Sequence, residues 1–263
     1  MTSTVRAIAM MVSVLGTAMV SAQQPMPTTW PGGHRAAIVL TYDDALRSQL
    51  DNAVPVLDAA GFKGTFFLSG TFKQEDVDRW RAVAKRGHEL GNHTVFHPCA
   101  KGSFDMPPQQ DTANYSVAWM LKEIGAMNNM LAAIDGKPDH TFATPCGQHV
   151  AGGEDYLPAL RTSGLTKYVR AASDSGTGTL DPFDVPSTFF PDTVTGTQLI
   201  AYVEKVRATG GLGVMGFHGV GGDYLLVPAA AHKELVEYLK AHKDDIWVAP
   251  FGEVMDYVAH RSR

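Results

Sequence analysis

Residues 36–42, AAIVLTY, are apolar almost throughout, the pattern of a strand buried on both faces. In the next stretch, 48–60, Leu50, Val54 and Leu57 recur at helical spacing before Gly61, a helix stop. The alternation then continues along the chain. Strands are expected at 65–68, 88–93, 141–143, 167–170, 212–217 and 246–248, and helices at 75–86, 115–134, 155–162, 197–208, 229–243 and 251–260. Strand and helix in turn predict an α/β fold, a parallel sheet of about seven strands with the helices outside. No G-x-G-x-x-G follows the first strand, so closure into a barrel is favoured over an open dinucleotide-binding sheet. Segments 98–114 and 171–196 are long and polar, the kind of insertion that carries substrate contacts.

In a (β/α) barrel the site lies at the carboxyl ends of the strands. The first strand ends in Asp43-Asp44, the third in the segment GNHTVFHP, the fourth in TPCG and the sixth in GFHG. Two carboxylates and three histidines therefore meet at one rim. His93 and His97, four positions apart, are expected to share one side of a helical turn. With one carboxylate they make the two-His, one-Asp set of a catalytic zinc that keeps a position open for water. Zinc is the first choice, and the same set suits iron(II) or cobalt.

The length of 263 residues, with 44% apolar and 19% charged content, is enough to bury one full core. A net charge of −5 without any Lys/Arg cluster argues against a nucleic-acid surface. Residues 1–22 carry Arg6, then a charge-free apolar segment, then Val20-Ser21-Ala22, and read as a secretory signal peptide cleaved after Ala22. The competing reading, a membrane anchor, has 16 uncharged residues where ~20 are usual. The expectation is an exported chain, periplasmic or extracellular, with no membrane association after cleavage. Cys99 and Cys146 are the only cysteines, and one disulfide or two separate thiols are both open.

The motifs T-Y-D-D-A, H-T-V-F-H-P and G-F-H-G, in this order, resemble the first, second and fifth motifs of the polysaccharide deacetylase family, carbohydrate esterase family 4 with its NodB homology domain. The likeness spans residues 36–257. It implies a single distorted (β/α) barrel, a catalytic domain over 23–263, that removes acetyl groups from amino sugars or from acetylated xylan. It also implies that Asp44, His93 and His97 bind one divalent metal ion, that Asp43 is the general base and that His218 is the general acid. The expected partner is an acetylated carbohydrate, with no protein partner. Related readings are a hydrolase of cyclic amides or other O-acetyl esters, and a glycan-binding pseudo-enzyme; retention of the complete set counts against the last.

The sequence departs from the family pattern in places. Tyr42 and Ala45 stand where T-F-D-D-G has Phe and Gly, and A-T-P-C-G, residues 143–147, stands where the family has R-P-P-Y-G. The N–H of Cys146 can still serve as the oxyanion donor. The arginine that orients the base is missing, and Arg170, ending the next strand, is the candidate replacement, with a surface ion pair as the alternative. The aspartate that orients the catalytic histidine is not legible among Asp174, Asp181 and Asp184. Val214 or Met215 is expected to wall the acetyl methyl, or simply to belong to a buried strand. Tyr224, in the loop after His218, is expected to stack on a sugar ring or cover the rim. His232, His242 and His260, on helices with exposed-looking neighbours, are given no role.

Overall fold

A computed structural model describes residues 24–172 and 179–261. The proposed leader at 1–22 and Asp174 lie outside the described residues. Among the described residues eight parallel strands form the main sheet: β1 Ala36–Asp43, β2 Thr65–Leu68, β3 Glu89–Asn92, β4 Phe142–Ala143, β5 Val169–Arg170, β6 Thr188–Phe189, β7 Leu212–Phe217 and β8 Ile246–Val248. The helices that matter for the site are α1 Val54–Ala60, α2 Val77–Lys85, α3 Val117–Asp135, α4 Leu157–Ser163, α5 Gly196–Thr209, α6 Ala229–Ala241 and α7 Phe251–Arg261. Among the described residues no helix is long and apolar enough to cross a membrane.

The strand order is β6-β7-β1-β2-β3-β4-β5. One edge of β1 is covered along Ala37–Tyr42 by β7; the other is shared, its start by β8 and its end by β2. The two outer strands approach one another through a single segment, since Val185 bridges Arg170 of β5 and Thr188–Phe189 pairs with Met215–Gly216 of β7. This bends the sheet into a distorted barrel. β6, the strand additional to the seven expected, sits inside the polar 171–196 insertion, where two residues offer no period to read.

Successive side chains on a strand point to opposite faces, and here the two faces have separate cores. Ala36, Ile38, Leu40 and Tyr42 of β1 pack outward with Leu57, Leu131, Leu199, Val203 and Leu235 of the helices. Ala37 and Val39 point inward with Phe67, Ala143, Val185, Val214 and Phe251. The same alternation places Gly91, Ala143, Arg170, Phe189 and Gly216 on the inner face. The upper layer of the interior is therefore where the polar strand ends converge.

Two histidines depart from expectation. His232 of α6 is fully buried, and its Nε2 shares a hydrogen bond with the Tyr42 hydroxyl at 2.7 Å. The hydroxyl that distinguishes Tyr42 from the family's Phe thus reaches a partner beneath the helices. His97 is not on a helical turn with His93: it lies at the end of a bend in which Thr94 and His97 both have left-handed backbones, φ 63° and 52°.

Candidate active site

Alternation along β1 carries Ala37, Val39, Thr41 and Asp43 to the inner face and would send Asp44 outward. The chain prevents this by leaving the strand conformation: Asp44 and Ala45 adopt left-handed backbones, φ 74° and 56°. For L-residues that geometry costs roughly 1–2 kcal/mol each, and it turns Asp44 back over the barrel mouth. The Asp44 N–H still donates to Phe67 O at 3.0 Å, so the turn stays tied to β2. Both carboxylates now face one space.

His93 follows β3 on its inner face and donates from Nδ1 to Ala143 O at 2.9 Å, which leaves the Nε2 lone pair aimed at the site. The bend to His97 is held by side chains. Thr94 N donates to Asn92 Oδ1 at 2.8 Å, His97 N to Thr94 Oγ1 at 3.0 Å and Phe96 N to Glu123 Oε1 at 2.7 Å. Glu123 is a buried carboxylate on α3 that sequence reasoning did not single out. His93 Nε2 and His97 Nε2 come within 3.2 Å, and Asp44 Oδ1 lies 3.6 Å from the first and 3.4 Å from the second.

Burial and neighbouring charges shift the titration of every member of this group. The His93 imidazole is desolvated and its pKa is lowered to about 3; burial lowers that of His97 as well. Burial and the neighbouring charge of Asp43 raise Asp44 to about 6. Burial would also raise Asp43, but Arg170, with His93 and His218, outweighs it and holds this carboxyl below its usual range. Arg170 Nη2 donates to Asp43 Oδ2 at 2.7 Å, both side chains being buried. The guanidinium is sandwiched between Phe67 and Phe189, its Cζ 5.0 Å from each ring centre.

Asp44 Oδ1 is buried without a hydrogen-bond partner among the described residues, and it faces two imidazole nitrogens that are neutral in this setting. An acceptor oxygen and two lone pairs, with no proton between them, suit a cation. The atoms of Asp44, His93 and His97 all lie within 4.8 Å of one another, so these residues fit a divalent metal. His97, Cys99 and Cys146 are equally close. Their sulfurs, however, are joined to each other as a disulfide, with the two Cα atoms 5.9 Å apart, and offer no thiolate.

Cys146 is the second residue of a short 3₁₀ turn, Pro145–Gly147, where a proline lacks the N–H and the next N–H is left over by helix geometry. His218 directly follows β7, its Nε2 3.7 Å from Asp44 Oδ2 and its ring 5.1 Å from that of Phe189. Gly216 leaves room for that ring: a Cβ there would meet it at 2.5 Å. Phe189, a residue the sequence did not flag, is thus the apolar surface beside His218. Val214 lies lower on the same column, within the inner core, and Met215 packs outward. The Tyr224 hydroxyl donates to Asp44 Oδ2 at 3.0 Å while the rest of the side chain stays exposed. Asp181 is engaged by Arg161 at 2.7 Å, and Asp184 is exposed on the segment that meets β5.

The polysaccharide deacetylase family model matches residues 32–168, and the chain belongs to that family. A Bacillus gellan lyase is 24% identical over 251 residues, 88% of this chain. The chain spans only 10% to 37% of the length of the curated relatives it matches. A Mycobacterium smegmatis structure provisionally described as a polysaccharide deacetylase superimposes with a TM-score of 0.67 at 20% identity, covering 90% of this chain and 95% of that one. Bacillus subtilis PdaA, described as a family 4 carbohydrate esterase, gives 0.57 at 17% identity over 89% and 84% of the two chains. These likenesses carry the fold.

Proposed function

We propose that this chain is an exported, metal-dependent hydrolase that removes acetyl groups from a carbohydrate, either an N-acetylated amino-sugar polymer or oligomer or an acetylated xylan. The observation that carries the proposal is the division of labour between two adjacent carboxylates. Asp44 faces His93 and His97, while Asp43 is held ionised by Arg170. Asp44, His93 and His97 would hold one divalent ion, with zinc as first choice and cobalt or iron as alternatives.

Bound there, such an ion would supply Lewis acidity, making water more acidic and polarising the acyl oxygen. Asp43 takes the proton from the attacking water, and Arg170 keeps that carboxylate anionic and aimed. The Cys146 N–H donates to the acyl oxygen as negative charge gathers on it. His218 passes a proton to the departing amine or alcohol, and Phe189 and the Tyr224 ring border the acyl and sugar groups beside it. Val214 lies one layer deeper, in the inner core beneath these groups.

Acetate release from acetylated chitooligosaccharides and acetylxylan, with and without chelator, tests the proposal. Release that chelator stops supports it. A protein that binds metal and glycan but frees no acetate from either substrate is a pseudo-enzyme or acts on another acyl bond.

A further inference from the structure

We infer that the Cys99–Cys146 disulfide is a positioning device for the site, so that the protein is competent only when this bridge is closed. The inference rests on the metal-site reading above. Cys99 is two residues past His97, and its Sγ lies 3.6 Å from His97 Nδ1, the ring nitrogen other than the Nε2 that looks at Asp44 and His93. Cys146 is the residue whose N–H is assigned to the acyl oxygen. One covalent bond therefore joins the loop of a metal ligand to the loop of the oxyanion donor, across a gap of 47 residues in sequence.

Both loops need holding. His97 and Cys146 have left-handed backbones, φ 52° and 53°, a conformation that L-residues keep only where the surroundings impose it. Cys99 itself is fully buried and pinned by backbone hydrogen bonds: it donates to Gln110 O at 3.1 Å and accepts from Thr112 N at 2.9 Å. Cys146 is exposed, so a reductant can reach the bond from that side. The remaining straps between the loops are weaker, hydrogen bonds from Ala100 N to Gln148 Oε1 at 2.7 Å and from Gln148 Nε2 to Ser103 Oγ at 3.3 Å. When the bridge opens, the His97 loop loses its covalent tie to the Cys146 loop and Cys146 its restraint, while the barrel strands keep their pairings.

The test uses a water-soluble phosphine, which takes the oxygen of water as two electrons and two protons pass to the sulfurs, giving two thiols and a phosphine oxide. Zinc affinity is measured by chelator competition on the intact protein, oxidised and reduced, well below its melting temperature. Loss of support around a ligand should weaken zinc binding about tenfold to a hundredfold. Turnover should fall with KM unchanged, and reoxidation should restore both. Cys99→Ala/Cys146→Ala, which removes the thiols as competing ligands, should match the reduced protein and ignore the phosphine. Should that variant fail to fold, in-situ reduction of the folded protein still decides. Unchanged zinc affinity and turnover after reduction overturn the inference alone, as does tighter zinc binding through the freed thiols. An oxidised protein that binds no metal overturns this inference and the proposed function together.

Discussion

Arg170 Nη2 donates to Asp43 Oδ2 at 2.7 Å from the far side of the barrel interior, β5 answering β1. Both groups are buried, so removing either leaves the other as an uncompensated charge, at a cost of ~3–5 kcal/mol. Arg170→Ala should destabilise the protein by about that amount and lower turnover roughly a hundredfold, the scale of a misplaced general base. Metal content should not change. Normal turnover in a folded Arg170→Ala protein would remove Arg170 from the mechanism.

Removing the metal should separate binding from chemistry. Dialysis against a chelator should end acetate release, and zinc or cobalt should restore it. His93→Ala, which deletes one of three closely spaced donors, should leave the protein unable to retain the ion, by elemental analysis after gel filtration. Full activity in metal-free protein would refute the assignment.

Acid stability should carry a signature from His232, which is buried on the helix-covered side of the sheet, against Tyr42 and Phe217. Its burial depresses the folded-state pKa to about 4 from an unfolded value of ~6.5, so folding favours the neutral ring. The stability this supplies is complete above the unfolded pKa. It drains away as pH falls toward the folded one, by about 3 kcal/mol over the window from 6.5 to 4. His232→Gln should flatten the fall of the urea midpoint across that window; an unaltered slope would assign the loss to other groups.

Gly216 and Phe189 should behave as one unit. A methyl at 216 meets the Phe189 ring at 2.5 Å, so Gly216→Ala should cost about 1–3 kcal/mol and lower turnover by disturbing the ring against which Arg170 and His218 rest. Gly216→Ala/Phe189→Leu should regain most of the stability. Thermal melts that do not distinguish Gly216→Ala from wild type would contradict the packing described.

Much of this architecture was legible because strands buried on both faces read as continuous apolar runs, as at residues 36–42 and 65–68. The rim could be assembled from strand ends, and Arg170 could be found because it closes a strand. Other features depend on distances between remote parts of the chain. Phe189 sits on a two-residue strand within a polar insertion, with no period to betray it. Glu123 looks like any helical carboxylate until its contact with Phe96 N is seen. The pairing of Cys99 with Cys146 depends on Cα separation, which composition does not contain. The helical turn expected between His93 and His97 gave way to a bend because Asn92, Thr94 and Glu123 side chains hold that backbone instead.

Ala45 stands in a left-handed conformation that glycine would adopt without strain. Its methyl group is a rigidity reserve: it narrows the angles through which Asp44 can swing, at the expense of the folded state. Directed evolution for heat tolerance would therefore find Ala45→Gly early, since it relieves backbone strain for the loss of a single methyl at the margin of the outer core. The same change would widen the hinge beneath Asp44, making this turn a place where thermal robustness and catalytic aim are in direct competition.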